Sequence, residues 1–155
     1  MEAARKQRLW RRRALLRVLL AAAFVAAVPS LALAATVPVR VRIIKGSRQG
    51  PPAVDPKLAD LQPQLGSLAY QRWEQVGEQL AEMDFKKPLS IALPDGASLE
   101  LVLVDASKDT VTFEVKVPAR KTHSRLTIAK DQRIVHQVTG ETNGVAFFAT
   151  LRPWP

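Results

Sequence analysis

From residue 88 to the end of the chain, apolar side chains occupy alternate positions, and clusters of turn residues interrupt them. Leu89, Ile91 and Leu93 lead to Pro94-Asp95-Gly96. Leu99, Leu101 and Leu103 lead to a polar turn over Asp105-Ala-Ser-Lys-Asp109. Val111, Phe113, Val115 and Val117 point one way, with Thr112, Glu114 and Lys116 facing solvent on the other. Leu126 and Ile128 precede Lys130-Asp131, Ile134 and Val138 precede Gly140-Glu-Thr-Asn-Gly144, and Val145, Phe147, Ala149 and Leu151 complete the series. Strands recurring about every 8–12 residues, each with one apolar face, predict an antiparallel meander that closes into a sandwich or a partly open barrel. The last residues, Arg152-Pro-Trp-Pro155, read as a loose tail.

Upstream, Val37, Val39, Val41 and Ile43 alternate with Arg40 and Arg42. This predicts a half-buried strand, and Pro38 near its start points to a sheet edge, because proline donates no ladder hydrogen bond. Lys45-Gly-Ser-Arg-Gln-Gly-Pro-Pro52 is a loop by composition. Asp55 is an N-cap candidate with Pro56 at the first helical position, and Leu58, Leu61 and Leu65 follow at helical spacing before Gly66. A short helix near the N-terminus of the domain, over 56–65, is expected, with Pro63 weakening its second half. The fold class is therefore α+β and mostly β.

Two patterns compete over 69–86. Tyr70, Trp73, Val76, Leu80 and Met83 recur every three or four residues, as on an amphipathic helix. A hairpin around Gly77-Glu78-Gln79 is the rival, with Ala81, Met83 and Phe85 alternating with Glu82 and Asp84.

The beginning of the chain has a different logic. Arg5, Lys6, Arg8, Arg11, Arg12, Arg13 and Arg17 form a basic stretch, followed by the apolar run from Val18 to Val28, then Pro29, then Ala32-Leu33-Ala34. This order is that of a secretory signal peptide with cleavage after Ala34. The apolar run falls short of the roughly 18 residues a membrane span needs. The expectation is residues 1–34 as a signal and 35–155 as one β-rich domain, exported to the periplasm or the extracellular space. Arg12-Arg13-Ala14-Leu15-Leu16-Arg17 also approximates a twin-arginine signal, so both export routes stay open. An uncleaved signal would leave the domain tethered to a membrane; otherwise its contact with one ends at cleavage.

Removing 1–34 takes seven of the 23 basic residues and one of the 14 acidic ones, leaving a net charge of +3 on the remainder instead of +9. That is no nucleic-acid footprint.

The chain has no cysteine and two histidines, His123 and His136. Disulfides, thiolate metal sites and cysteine nucleophiles are excluded, and no nucleophile elbow, zinc-protease helix or glycine-rich phosphate loop is present. No catalytic residue, cofactor or metal ligand is assigned. His136 shares a strand face with Ile134 and Val138 and reads as a packed histidine, since metal sites need several convergent ligands. Glu74, Glu78 and Glu82 would line one face of a helix but would scatter on a hairpin. Asp105 and Asp109 flank a turn, where short polar side chains bond nearby backbone. Neither set fixes two acids at a working separation.

Tyr70 and Trp73 are candidates for an aromatic binding surface, weighed against core packing. The candidate partner-binding residues are Arg120, Lys121, His123 and Arg125, in a basic connection between strands that would project toward an envelope protein or an anionic envelope component. The expected function is a non-catalytic exported domain, a binding or assembly component of the bacterial cell envelope. The alternatives are a small periplasmic hydrolase using carboxylates and a membrane-tethered accessory factor.

Val41-Arg42-Ile43-Ile44, Val54-Asp55-Pro56-Lys57-Leu58 and Ala92-Leu93-Pro94-Asp95-Gly96-Ala97-Ser98-Leu99-Glu100-Leu101 together resemble a loosely defined group of small exported δ-proteobacterial proteins, over about residues 40–150. The resemblance implies an architecture in which 69–86 forms two strands, and it implies no functional residues. Members often carry a glycine pair where this chain has Gln137-Val138.

Overall fold

The structure is a computed structural model and describes residues 36–153. The expected export signal over residues 1–34, its expected cleavage site and the final Trp154-Pro155 lie outside the described residues.

Among the described residues nine strands form two sheets. The strands are β1 (Val37–Ser47), β2 (Ala53–Val54), β3 (Arg72–Met83), β4 (Pro88–Ala92), β5 (Ser98–Ala106), β6 (Thr110–Val117), β7 (Thr122–Ala129), β8 (Ile134–Gln137) and β9 (Val145–Pro153). The four-stranded sheet runs β4-β5-β6-β7, the first part of the predicted meander, whereas the last two strands, β8 and β9, leave it for the other sheet. The five-stranded sheet runs β2-β3-β1-β9-β8, so it joins the first strand of the domain to the last. Among the described residues the named strands pair antiparallel except for the short parallel contact of β2 with β3, and an isolated parallel bridge joins Phe85 to Leu103. The sheets curl as a half-barrel around a shared apolar core. Val39, Val41, Ile43, Ala149 and Leu151 enter it from one side and Leu99, Leu101, Leu103, Phe113 and Val115 from the other.

β1 is a central strand, not an edge, with β3 on one flank and β9 on the other. Pro38 stands at the second position of β1, at the start of the ladder, opposite Glu82 of β3. The expected loose tail is likewise partly strand: Arg152 and Pro153 belong to β9, and Pro153 is buried.

The helical segment lies over residues 56–65, after β1 and β2. The Asp55 carboxylate accepts from the Lys57 amide at 3.0 Å, and Pro56 opens a 3-10 turn over Pro56–Leu61. Pro63 does not end the helix. It sits in the first turn of α1 (Gln62–Leu65), where its missing N–H is not needed. Leu58, Leu61 and Leu65 pack on the outer face of the five-stranded sheet, against Ile44, Trp73, Ala146 and Phe148. That sheet is thus covered on both faces near Ile44. This is why Arg42, on the outer face, is buried at 4% exposure where the alternation predicts solvent.

The stretch 69–86 contains neither a helix nor a hairpin at Gly77. Residues 72–83 form one long strand with a bulge: Ile43 pairs with Gly77, Ile44 pairs with Gln75, and Val76 has no partner. An extra residue reverses the two-residue alternation. Trp73 therefore faces the helical segment while Met83 faces the inter-sheet core, although their even separation would put them on one side of a regular strand. The apparent helical spacing is a strand period with one residue inserted. Two of its members, Val76 and Leu80, are exposed.

Gly46 sits under the rings of the second core. A Cβ placed there would lie 2.9 Å from Trp73 Cζ3, 3.0 Å from Tyr70 Cγ and 3.1 Å from Phe148 Cε2. The three rings pack edge to face, with centroids 5.2–5.6 Å apart, so none can move without displacing the others. Gly46→Ala is expected to cost about 1–3 kcal/mol, the range for overpacking a core. Gly140→Ala, at a position where a Cβ meets no atom within 4 Å, is expected to change stability by less than about 0.5 kcal/mol. Denaturant midpoints of the two variants check the pair.

Candidate functional site

β7 and β8 are the end strands of their sheets, and a cleft of about 280 Å³ opens where their ends part. The sequence builds it in three steps. Val115 and Val117, inward on β6, form an apolar floor. Pro118 then ends β6 in a 3-10 turn over Pro118–Arg120, and Lys121 at φ +54° reverses the chain into β7. The inward positions of β7 begin with Thr122 and Ser124 before they turn apolar at Leu126 and Ile128, so this end of the layer is lined with hydroxyls. His136 and Gln137 of β8, and Val138, Thr139 and Gly140 after it, form the opposite wall.

That wall is held by its own hydrogen bonds. Thr139 Oγ1 accepts from the Phe147 amide at 2.8 Å, and Gln137 Nε2 donates to the Thr139 carbonyl at 2.7 Å. His136 is half-buried, and desolvation lowers its pKa, favouring the neutral imidazole. Arg120, in the connecting turn, is ion-paired through Nη2 with Asp95 in the β4–β5 turn. Its Nη1 is shut off from solvent and has no hydrogen-bond partner among the described residues.

The four candidate partner-binding residues do not form one surface. Arg120 contributes to the cleft wall, and Lys121 is exposed at the turn. His123 and Arg125 are not in a loop. They lie on the outer face of β7, opposite Lys116 and Glu114 of β6. Nor is their charge unopposed. Asp95 pairs with Arg120, and Glu114 lies 3.5 Å from His123 Nε2 and 3.2 Å from Lys116 Nζ. The Glu114 carboxyl is held below its ordinary pKa chiefly by its bond to Lys116, with His123 and Arg125 adding to the effect.

The aromatic candidates are core. Trp73 is buried, and Tyr70 packs on it and on Phe148. The Tyr70 hydroxyl donates to Glu141 at 2.9 Å, and Arg48 bonds the same carboxylate at 2.8 Å while lying 5.0 Å from the Tyr70 ring centroid. This trio ties the loop after β1 to the loop after β8. The bulge at Val76 also splits the acidic series: Glu74 pairs opposite Lys45 on one face of the sheet, whereas Glu78 and Glu82 pair opposite Arg42 and Pro38 on the other. Among the described residues no cluster of three or more His, Asp or Glu could hold a metal ion, and no helix is long and apolar enough to cross a membrane.

Sequence reasoning missed the cleft because its walls come from strands that only the topology brings together. One signal was present: Thr122 and Ser124 stand in phase with Leu126 and Ile128, polar residues on an inward register.

His136 gives the cleft a pH signature. Its folded pKa lies below the ordinary value of about 6.5. The stability that its neutral form confers is present above that value and is lost as pH falls through the folded pKa, because the unfolded chain takes up the proton first. His136→Gln is expected to flatten the stability–pH curve just below about pH 6.5. Urea midpoints across that range check this.

Searches against protein-family models, curated proteins and solved structures return no match to this chain.

Proposed function

We propose that this chain is a non-catalytic, exported binding domain of the bacterial cell envelope, and that the cleft between β7 and β8 is its binding surface. The observation that carries the reading is a cavity opening at the unpaired margins of both sheets, lined with hydroxyls over a valine floor. Recognition sites combine an apolar lining with a few polar groups in this way. The lining offers hydroxyls, a neutral imidazole and a guanidinium already engaged by Asp95. It holds no carboxylate pair for hydrolysis, and a lone imidazole lacks the nucleophile and orienting group that acyl transfer uses. Support for export comes from the basic, apolar and small-residue order of residues 1–34.

The test uses the full chain expressed in a Gram-negative host. The mature protein is expected in the envelope fraction with its N-terminus at Ala35, and Ala34→Asp is expected to block processing, because signal peptidase accepts only small residues before the cut. Gly140→Phe, which places a ring at the cleft wall, is expected to release the processed protein from its envelope complex. Recovery of a chain still starting at Met1 would overturn the export claim. Retention of Gly140→Phe at the wild-type level would overturn the assignment of the cleft.

A further inference from the structure

We infer that the ligand of the cleft is an extended, uncharged peptide segment that adds to the free edge of β7 beside Thr122–Arg125 and directs alternate side chains onto the Val115–Val117 floor. The inference rests on the binding role proposed above and names the class of partner.

Charge is the first argument. An anion would need uncompensated positive charge in the site, and the cleft has little. Arg120 is neutralised by Asp95, and His136 is held toward its neutral form. The other cations of this segment are directed elsewhere: Lys121 is exposed at the turn, and His123 and Arg125 lie on the outer face of β7 near Glu114. A phosphate or carboxylate would lose its hydration without a free countercharge.

Shape and hydrogen bonding are the second. An edge strand presents a row of unpaired N–H and C=O groups, which an incoming extended chain satisfies regardless of its sequence. β7 is such an edge, and so is β8 across the cleft. Beside Thr122 and Ser124 the two edges are separated by a cavity of about 280 Å³, enough for a few side chains and not for a folded element. An added strand would point every second side chain inward over Val115, Val117 and Val138 and present the others to solvent. The hydroxyls of Thr122 and Ser124 can each donate or accept, which suits amide groups. Arg120 Nη1, a buried donor without an acceptor, can be drawn toward a peptide carbonyl by a small movement of the guanidinium.

The test is a titration of the isotope-labelled full chain with three probes, followed by amide chemical shifts and hydrogen exchange. The first is the capped neutral peptide acetyl-Thr-Val-Thr-Val-Thr-Val-amide. The second replaces each threonine of that peptide with glutamate. The third is inorganic phosphate. The neutral peptide is expected to slow exchange at Thr122–Arg125, to bind equally at low and high salt, and to bind at least about tenfold more weakly to Gly140→Phe. Amide exchange of Gly140→Phe at β3 and β5, away from the cleft lining, serves as the check that this variant is folded and is expected to match wild type. Tighter binding of phosphate or the glutamate peptide, or protection confined to the β8 edge, would overturn the inference. So would the absence of neutral-peptide binding at about 5 mM. If the neutral peptide fails while Gly140→Phe still releases the protein from its envelope complex, the cleft is a binding site for another class of ligand and the broader reading survives. Failure of both removes both.

Discussion

Phe113→Ala is expected to lower folding stability by about 3–5 kcal/mol, the cost of emptying a core aromatic and leaving a cavity. Phe113 is fully buried at 0% exposure and sits mid-strand between Leu103 of β5 and Leu126 of β7. Its ring lies in the inter-sheet core with Val39, Val41 and Leu151 from the facing layer. Strands on three sides fix the backbone, so the structure can collapse only partly around the void. Thr112 provides the comparison. It does not face open solvent as the alternation predicts. It is 7% exposed, and its hydroxyl shares a 2.9 Å hydrogen bond with the Thr127 hydroxyl across the strand pair. Thr112→Ala is therefore expected to cost about 1 kcal/mol, the worth of one such bond. Chemical denaturation of both variants checks the contrast, and equal midpoints would mean that the faces of β6 are assigned wrongly.

The second large effect is expected at Asp60. Arg42 projects from the centre of the five-stranded sheet, and its side chain is 5% exposed. It donates to both Asp60 oxygens, at 2.8 and 2.9 Å, and to the Lys57 carbonyl at 3.2 Å. Arg133, just before β8, binds the same carboxylate. One acid thus pins the helical segment to β1 and to the approach to β8. Asp60→Ala leaves the Arg42 charge buried with a single acceptor and is expected to cost about 3 kcal/mol, the low end for breaking a buried pair because the carboxylate itself is partly exposed. Replacing both partners, Arg42→Leu with Asp60→Leu, is expected to restore much of that loss, since no charge is then stranded. The pair also has a pH consequence. Its bond to Arg42 holds the Asp60 carboxyl below the ordinary range. The stability it confers is present above about pH 3.9 and is lost as pH falls through the lower folded value, so Asp60→Ala should flatten the acid limb of the stability curve.

These two sites show where the sequence was legible and where it was not. The four-stranded meander could be read directly, because each strand has one apolar face and each join has turn residues. Phe113 was recognisable as core for the same reason. The five-stranded sheet was harder. Val37 to Ile43 looks like a half-buried strand, but its position between β3 and β9 depends on pairings with residues up to 46 and 114 positions away. Arg42 looks like a solvent-facing residue until the helical segment covers that face. The bulge at Val76 is the clearest failure. A single extra residue turns an alternating strand into apparent helical spacing, and nothing local to Trp73 or Met83 separates the two. The basic segment 120–125 was visible as charge, but its acidic neighbours, Asp95 from the β4–β5 turn and Glu114 from β6, meet it only in the fold.

Ser124 and Arg125 are adjacent in sequence and point to opposite faces of β7, toward the cleft and away from it. A photo-crosslinking residue placed at each position in turn, in the full chain expressed in cells, tests most directly whether the cleft is the binding surface. The account predicts a discrete envelope adduct from position 124, suppressed by Gly140→Phe, and none from position 125. An adduct from position 125 alone would contradict it and return the interaction to the outer, charged face of the sheet.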